Sequence, residues 1–318
     1  MRLLSVELGR LRSRRAVAAL LLLAVALAAL LVGSAAYDTR PVNAADRAVA
    51  LNQLAQARDD GIQEYRTCLA DPEQYLGSGA TAAGCESTRP DLSWFLPRAQ
   101  LHLADEIGGR GQTLIALLAV IGAVVGATFC GADWSSGSLG NQLLFVPRRG
   151  AVWLAKAVAV VVGMTAVAAV LVGGFWAALQ GVAASRGLAT SAGTWREIEA
   201  SSGRGLAMVA AATLGSFALT MLLRSTVATL GLLLGGVVLG EGLAAGLPFD
   251  RMTQWSPSQN VAAWLSNGIQ VYDDSTCRGP GASCLYTLPL VHAAVYLGVL
   301  LLLAVVVSMV SFRRRDIA

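Results

Sequence analysis

Few residues in this chain have the type and spacing to do chemistry, and those few point away from catalysis. Its 318 residues include five cysteines, two histidines and a single lysine. Cys68 and Cys85 share one polar segment, Cys277 and Cys284 share another, and Cys130 stands alone at the end of an apolar run. Thiols paired within one segment suit disulfides of an oxidising compartment, and the second pair is bridged by the turn sequence Arg278-Gly279-Pro280-Gly281. Disulfides Cys68–Cys85 and Cys277–Cys284 are therefore expected, the first stabilising by about 3 kcal/mol in the chain-entropy picture. Zinc is a poor alternative, because no CxxC occurs and neither His102 nor His292 lies near a matching thiol set.

Lys156, the one lysine, follows no glycine-rich phosphate cradle, and no GxxxxGK[ST] occurs, so the chain is not expected to bind a nucleotide itself. With no HExxH, no GxSxG and no pair of intramembrane aspartates, it is expected to hold no catalytic residue, metal or cofactor. One acid, Glu241, lies inside an apolar run, about 9 Å from its outer end. An acid there is costly and must face protein or a water-filled cavity. Glu241 is thus either part of a substrate cavity or gate, or a structural hydrogen-bond acceptor.

The elements that carry these residues are membrane spans. Hydrophobic residues make up 55% of the chain and charged ones 14%, and the apolar runs are continuous Leu, Ala and Val, which favours helices over the alternating strands of a barrel. Six stretches approach the roughly 20 residues that a bilayer requires: 16–36, 113–130, 151–184, 205–223, 226–247 and 288–312. The fold class expected is an all-α polytopic membrane protein. Residues 1–36 also resemble a cleaved signal peptide ending at Gly33-Ser34-Ala35-Ala36, but the apolar run exceeds the usual length and reads as a retained first span. Arginines at the N-terminus, Arg148, Arg149, Lys156, Arg224 and Arg313-Arg314-Arg315 all fall on one side, which the positive-inside rule makes cytoplasmic, with both termini inside. The formal charge of +4 is accordingly a topology signal and gives no case for a nucleic-acid partner.

Between the spans, residues 1–15 place Leu4, Leu8 and Leu11 on one stripe among arginines, as in an amphipathic interfacial helix. Residues 37–112 form an extracytoplasmic insertion, 185–204 an outer loop, 248–287 a short re-entrant or interfacial outer helix with a disulfide loop, and 313–318 a cytoplasmic tail. The fifth span carries small residues at four-residue spacing, Gly231 with Gly235 and Gly236 with Gly240, suited to close helix packing within the bundle or in a dimer.

The segment 131–150 is the long polar-to-amphipathic run at the basic side. Asp133, Ser135 and Ser136 offer N-cap chemistry, Leu139, Leu143 and Leu144 recur at helical spacing, and Pro147 stops the helix before Arg148 and Arg149. It reads as a docking helix, or as an ordinary interfacial loop helix. The run Asp133-Trp134-Ser135-Ser136-Gly137-Ser138-Leu139, followed by Leu143, Pro147 and Arg149 with Lys156 opening the next span, resembles the acidic-aromatic-x-x-Gly-Ser/Thr-Leu pattern of ABC-2 type permeases. The basic first helix, six spans and short outer helix are similar to that family across the whole chain. Two departures are Asp133, where the family often has Glu, and the long first outer segment.

The resemblance implies that 131–150 is a cytoplasmic coupling helix seated in an ABC ATPase, through Asp133, Trp134, Gly137, Ser138, Leu139, Leu143, Pro147 and Arg149. It further implies two ATPase copies that bind ATP and Mg, a second permease copy or paralogue, surrounding membrane lipid, and export across the bacterial cell membrane. The Arg, Ala and Gly bias agrees with a GC-rich bacterial genome. Two other classes stay open: a non-transporting membrane scaffold or sensor with an extracytoplasmic ligand-binding domain, and an ion-coupled carrier using Glu241, which lacks the expected inverted repeat.

Overall fold

A computed structural model describes residues 2–77, 80–96, 100–247, 251–273 and 284–314, with the side chains of 2, 3, 59 and 60 left aside. Cys277 and residues 315–318 of the expected tail lie outside the described residues. In chain order the helices are α1 (Arg2–Ser13), α2 (Arg15–Asp38), α3 (Ala44–Ala70), α4 (Pro72–Leu76), α5 (Leu103–Glu106), α6 (Gln112–Ser135), α7 (Ser138–Phe145), α8 (Arg149–Ser185), α9 (Ala192–Leu223), α10 (Thr226–Gly246), α11 (Pro257–Leu265) and α12 (Leu290–Arg314). Six of them, α2, α6 (with α5 as its lead-in), α8, α9, α10 and α12, are long and apolar enough to cross a membrane. The chain forms two compact units, 1–32 with 103–318, and 33–102.

In the first unit α6 and α9 make the most extensive helix pair, and they run parallel in near-constant register. A side chain at Gly205 would strike Ile115, one at Gly122 would meet Thr213, and one at Gly126 would strike Ser216 and the Thr213 carbonyl. Gly122 and Gly126 are thus a GxxxG pair that lets two backbones touch. The face of α9 that meets them is polar: Thr213, Ser216 and Thr220 are buried, each hydroxyl donating to a carbonyl of its own helix at 2.8–3.0 Å. Satisfied in this way, small hydroxyls can line a lipid-embedded seam.

By contrast, Gly231, Gly235 and Gly236 of α10 have open space around them, so of the two roles that suit this stripe these three do not take up close packing within the bundle. Only Gly240 of the four packs closely, against Pro257. A helical GxxxG reports permission for close approach, and which helix takes it up is decided elsewhere in the bundle.

One further expectation is corrected and another gains detail. The outer loop at 185–204 shrinks to Arg186–Ser191, because α9 starts at Ala192, where Ser191 caps it by accepting the Thr194 N–H at 3.1 Å. Polarity ended the expected span at 205, but helicity continues: Ile198, Ser201, Gly205 and Val209 form one buried stripe. The segment 248–287 holds the short helix α11, and also two strands, β1 (Ile269–Tyr272) and β2 (Leu285–Leu288), paired antiparallel with Ile269 opposite Leu288 and Tyr272 opposite Leu285. Val271 and Leu288 of the hairpin pack with Ala263 of α11 and Ala293 of α12.

In the second unit α3 begins with a capping box between Asn43 and Asp46. Cys68 at its far end is joined to Cys85, with Cα atoms 5.7 Å apart. The Gly61 backbone lies directly against Pro90, and Tyr65 donates to Glu86 at 3.0 Å. In the first unit Cys284 is disulfide-bonded, and Cys130 is free and buried.

Candidate functional site at the basic end of the bundle

The segment expected to dock a partner is built differently from its reading in the sequence. α6 runs on through Ser135, so Asp133 and Trp134 belong to its last turns and cap nothing. The N-cap of α7 is Gly137, whose φ of 69° and lack of a capping side chain make glycine the natural residue. Leu139 is buried and Leu143 half-buried, while Leu144, five residues after Leu139, leaves that face. Leu144 is 81% and Phe145 87% exposed. Pro147 is exposed and Arg149, at the start of α8, is half-buried.

Beneath α7 lies a buried ionic cluster. Lys156 of α8 donates to Asp133 Oδ2 at 2.6 Å and to Glu7 Oε2 at 3.0 Å. Arg14 completes Asp133 through Oδ1 at 2.6 Å and also donates to the Thr128 and Phe129 carbonyls at 3.1 and 2.8 Å. The side chains of Lys156 and Glu7 are each 1% exposed and that of Asp133 6%, so these charges are tolerable only because each is paired and hydrogen-bonded. Two acids face two bases, and the Phe129 ring adds a cationic contact at 4.9 Å to Arg14 and 5.6 Å to Lys156.

α7 is tied into the same cluster. Gln142 donates to Glu7 Oε1 at 2.8 Å, and the Ser138 hydroxyl reaches Asp133 Oδ1 at 3.3 Å. Arg10 adds longer contacts to Glu7 at 3.4 Å and Gln142 at 3.5 Å. α1, α6, α7 and α8 thereby share one polar knot, while Leu11 of α1 rests against Gly163 of α8. Nearby, the Arg224 guanidinium lies over Trp134 at 4.7 Å, and Phe312 meets that ring edge-on at 6.5 Å. The Arg313 guanidinium packs over Gly150.

Of the expected coupling residues, Asp133, Trp134, Ser138 and Leu139 therefore face inward, and Gly137 and Pro147 face outward. Glu7 went unnoticed in the sequence. Its signal was available: three residues after Leu4 and four before Leu11, it is an acid set in the apolar stripe of α1. Phe145 was also missed, as the residue beside the expected stripe.

Glu241 lies at the other end of the bundle and meets none of these groups. Its carboxylate accepts the Ser256 hydroxyl at 2.7 Å and the Ser258 N–H at 2.6 Å, at the N-terminus of α11. An acid there satisfies free helix N–H groups and complements the helix dipole, so Glu241 is placed as the acceptor that ties α10 to α11. His292 of α12 bonds the Gln254 carbonyl at 3.2 Å. Among the described residues no three His, Cys, Asp or Glu side chains gather as a metal site.

The fold and these sites define a multi-pass α-helical membrane protein. No protein-family model, no curated protein and no solved structure matches the chain.

Proposed function

We propose that this chain is the membrane subunit of an ATP-driven exporter, powered by a separate ATPase that seats on α7 from the cytoplasmic side of a bacterial cell membrane. The observation that carries the reading is the two-sided build of α7: Leu144 and Phe145 are exposed at its end, while Gln142 and Ser138 are bonded into the buried Glu7–Lys156–Asp133–Arg14 cluster. A push on the exposed face cannot move α7 alone, since the cluster joins it to α1, α6 and α8. Rigid elements with a shared buried contact are what a mechanical coupling needs. The likeness of residues 133–149 to ABC-2 type permeases supports the same reading, as does the gathering of Arg10, Arg14, Arg224 and Arg313 at this end.

In this scheme ATP and Mg are held by two ATPase copies, and a second copy of this chain or a paralogue completes the translocation path. Docking uses the outward residues Gly137, Leu144, Phe145 and Pro147. Asp133, Trp134, Ser138 and Leu139 transmit from within. The test is reconstitution with the ATPase that copurifies. Phe145→Asp should abolish ATPase binding and export while the protein inserts and melts as before; normal export by that variant would end the proposal.

A further inference from the structure

At the end of the bundle opposite α7, a cavity of 510 Å³ opens between the π-helical turn Ile107–Gly111 that leads into α6, the first turns of α9, and the end of α11. That volume falls within the range of small-ligand sites. Its wall is mixed: Ile107 and Leu265 supply apolar surface, and Arg196, Glu197, Arg204 and Gln112 supply charge and hydrogen bonds. Two guanidinium groups against one carboxylate leave a surplus positive charge.

The two arginines are placed for one elongated ligand. Eight residues apart on a continuous helix, they sit about 12 Å apart along its axis. Arg204 spends its Nε on the Leu265 carbonyl at 3.3 Å, and the neighbouring Trp264 indole donates to the Arg204 carbonyl at 2.9 Å, which fixes the backbone there. The Arg196 side chain makes no hydrogen bond or ion pair among the described residues. The apolar run of α9 begins at Gly205, directly after Arg204, a position that suits an arginine where lipid headgroups meet hydrocarbon. Planar guanidinium forks match carboxylate and phosphate oxygens, and the apolar wall beside them accepts a hydrocarbon chain.

We infer that this cavity binds an anionic single-chain amphiphile, its carboxylate or phosphate held by Arg196 and its chain laid toward Arg204 against Ile107 and Leu265. The inference does not rest on the exporter reading, because binding here needs neither the ATPase nor transport.

The experiment is isothermal titration of the purified full-length protein in a neutral maltoside detergent, with dodecyl phosphate, laurate and dodecyltrimethylammonium as probes. The two anionic probes should bind saturably at one site, and the cationic one should not displace them. Arg196→Gln, a change at an exposed side chain, should weaken dodecyl phosphate about 10-fold with an unaltered melting temperature, and Glu197→Gln should tighten it. Equal binding of the cationic probe, or unchanged affinity in Arg196→Gln, would overturn the inference. Displacement by inorganic phosphate at the same concentration as dodecyl phosphate would overturn the amphiphile assignment. Mass spectrometry of solvent extracts separates the two sources: a monoacyl anion carried through purification is membrane-derived, and an empty protein that binds added laurate takes it from solution.

Discussion

Lys156 concentrates the physical problem of this protein in one side chain, because a fully buried ammonium must be stabilised by fixed partners. Glu7 and Asp133 provide them at 3.0 and 2.6 Å. Lys156→Met would leave both carboxylates buried beside a thioether, and breaking such a pair costs about 3–5 kcal/mol. The expected result is a markedly lower melting temperature in detergent, with Glu7→Gln less severe because Lys156 then keeps Asp133. Equal melting of wild type and Lys156→Met would show that the cluster contributes nothing net. The same geometry bears on how Asp133 should be tested. Asp133→Arg would destroy the cluster as well as any docking, so Phe145 and Leu144, which touch solvent, are the positions that separate the two. The single lysine was legible as unusual in the sequence, and Glu7 as an acid in an apolar stripe; that the two pair was not, since sequence periodicity assigns a face to a residue without saying what meets that face.

At the scale of elements, the α6–α9 seam and the α10–α11 corner make opposite predictions for glycine. Gly126→Leu forces a side chain into Ser216 and the Thr213 carbonyl, and should abolish folded, monodisperse protein in size-exclusion chromatography. Gly235→Leu meets open space in the protomer and should fold. If the α10 stripe is a dimer surface, that variant should elute as a monomer where the parent is a dimer; an unchanged dimer would assign the interface elsewhere. At the corner, Glu241→Gln keeps the size of the cap but loses its charge at the start of α11. A loss of about 1 kcal/mol is expected there, read as faster amide exchange confined to α11.

The number and order of spans were legible from apolar runs alone, because length and hydropathy report the contact with lipid. Helix ends were not: α9 extends from Ala192 and α6 through Ser135 in sequence that is polar, since hydrogen bonding and packing, not hydropathy, decide where a helix stops. The β1–β2 hairpin was hidden for a similar reason. Its strands, Ile269–Tyr272 and Leu285–Leu288, are short and far apart in sequence, with the expected disulfide segment between them.

For the whole molecule, the arrangement predicts a sidedness that can be read with thiol reagents. A cysteine substituted for the exposed Arg66 should react with an impermeant maleimide added to intact cells, whereas buried Cys130 should react only on denaturation. A cysteine at position 145, placed on a background with the native cysteines removed, should be labelled only once the cells are opened. Labelling of that residue in intact cells would invert the topology and remove the basis for an ATPase partner. In the proposed scheme the chain supplies a path and a lever while the fuel is bound elsewhere, and that scheme requires both a docking face and an internal connection from it.

The most direct test of that central claim is site-specific photocrosslinking in living cells from a benzoylphenylalanine placed at position 145. The account predicts one dominant adduct, identified by mass spectrometry as a P-loop ATPase and strengthened when ATP hydrolysis is blocked. An adduct only to lipid or to a chain without an ATPase fold, from a protein that is correctly inserted, would contradict it.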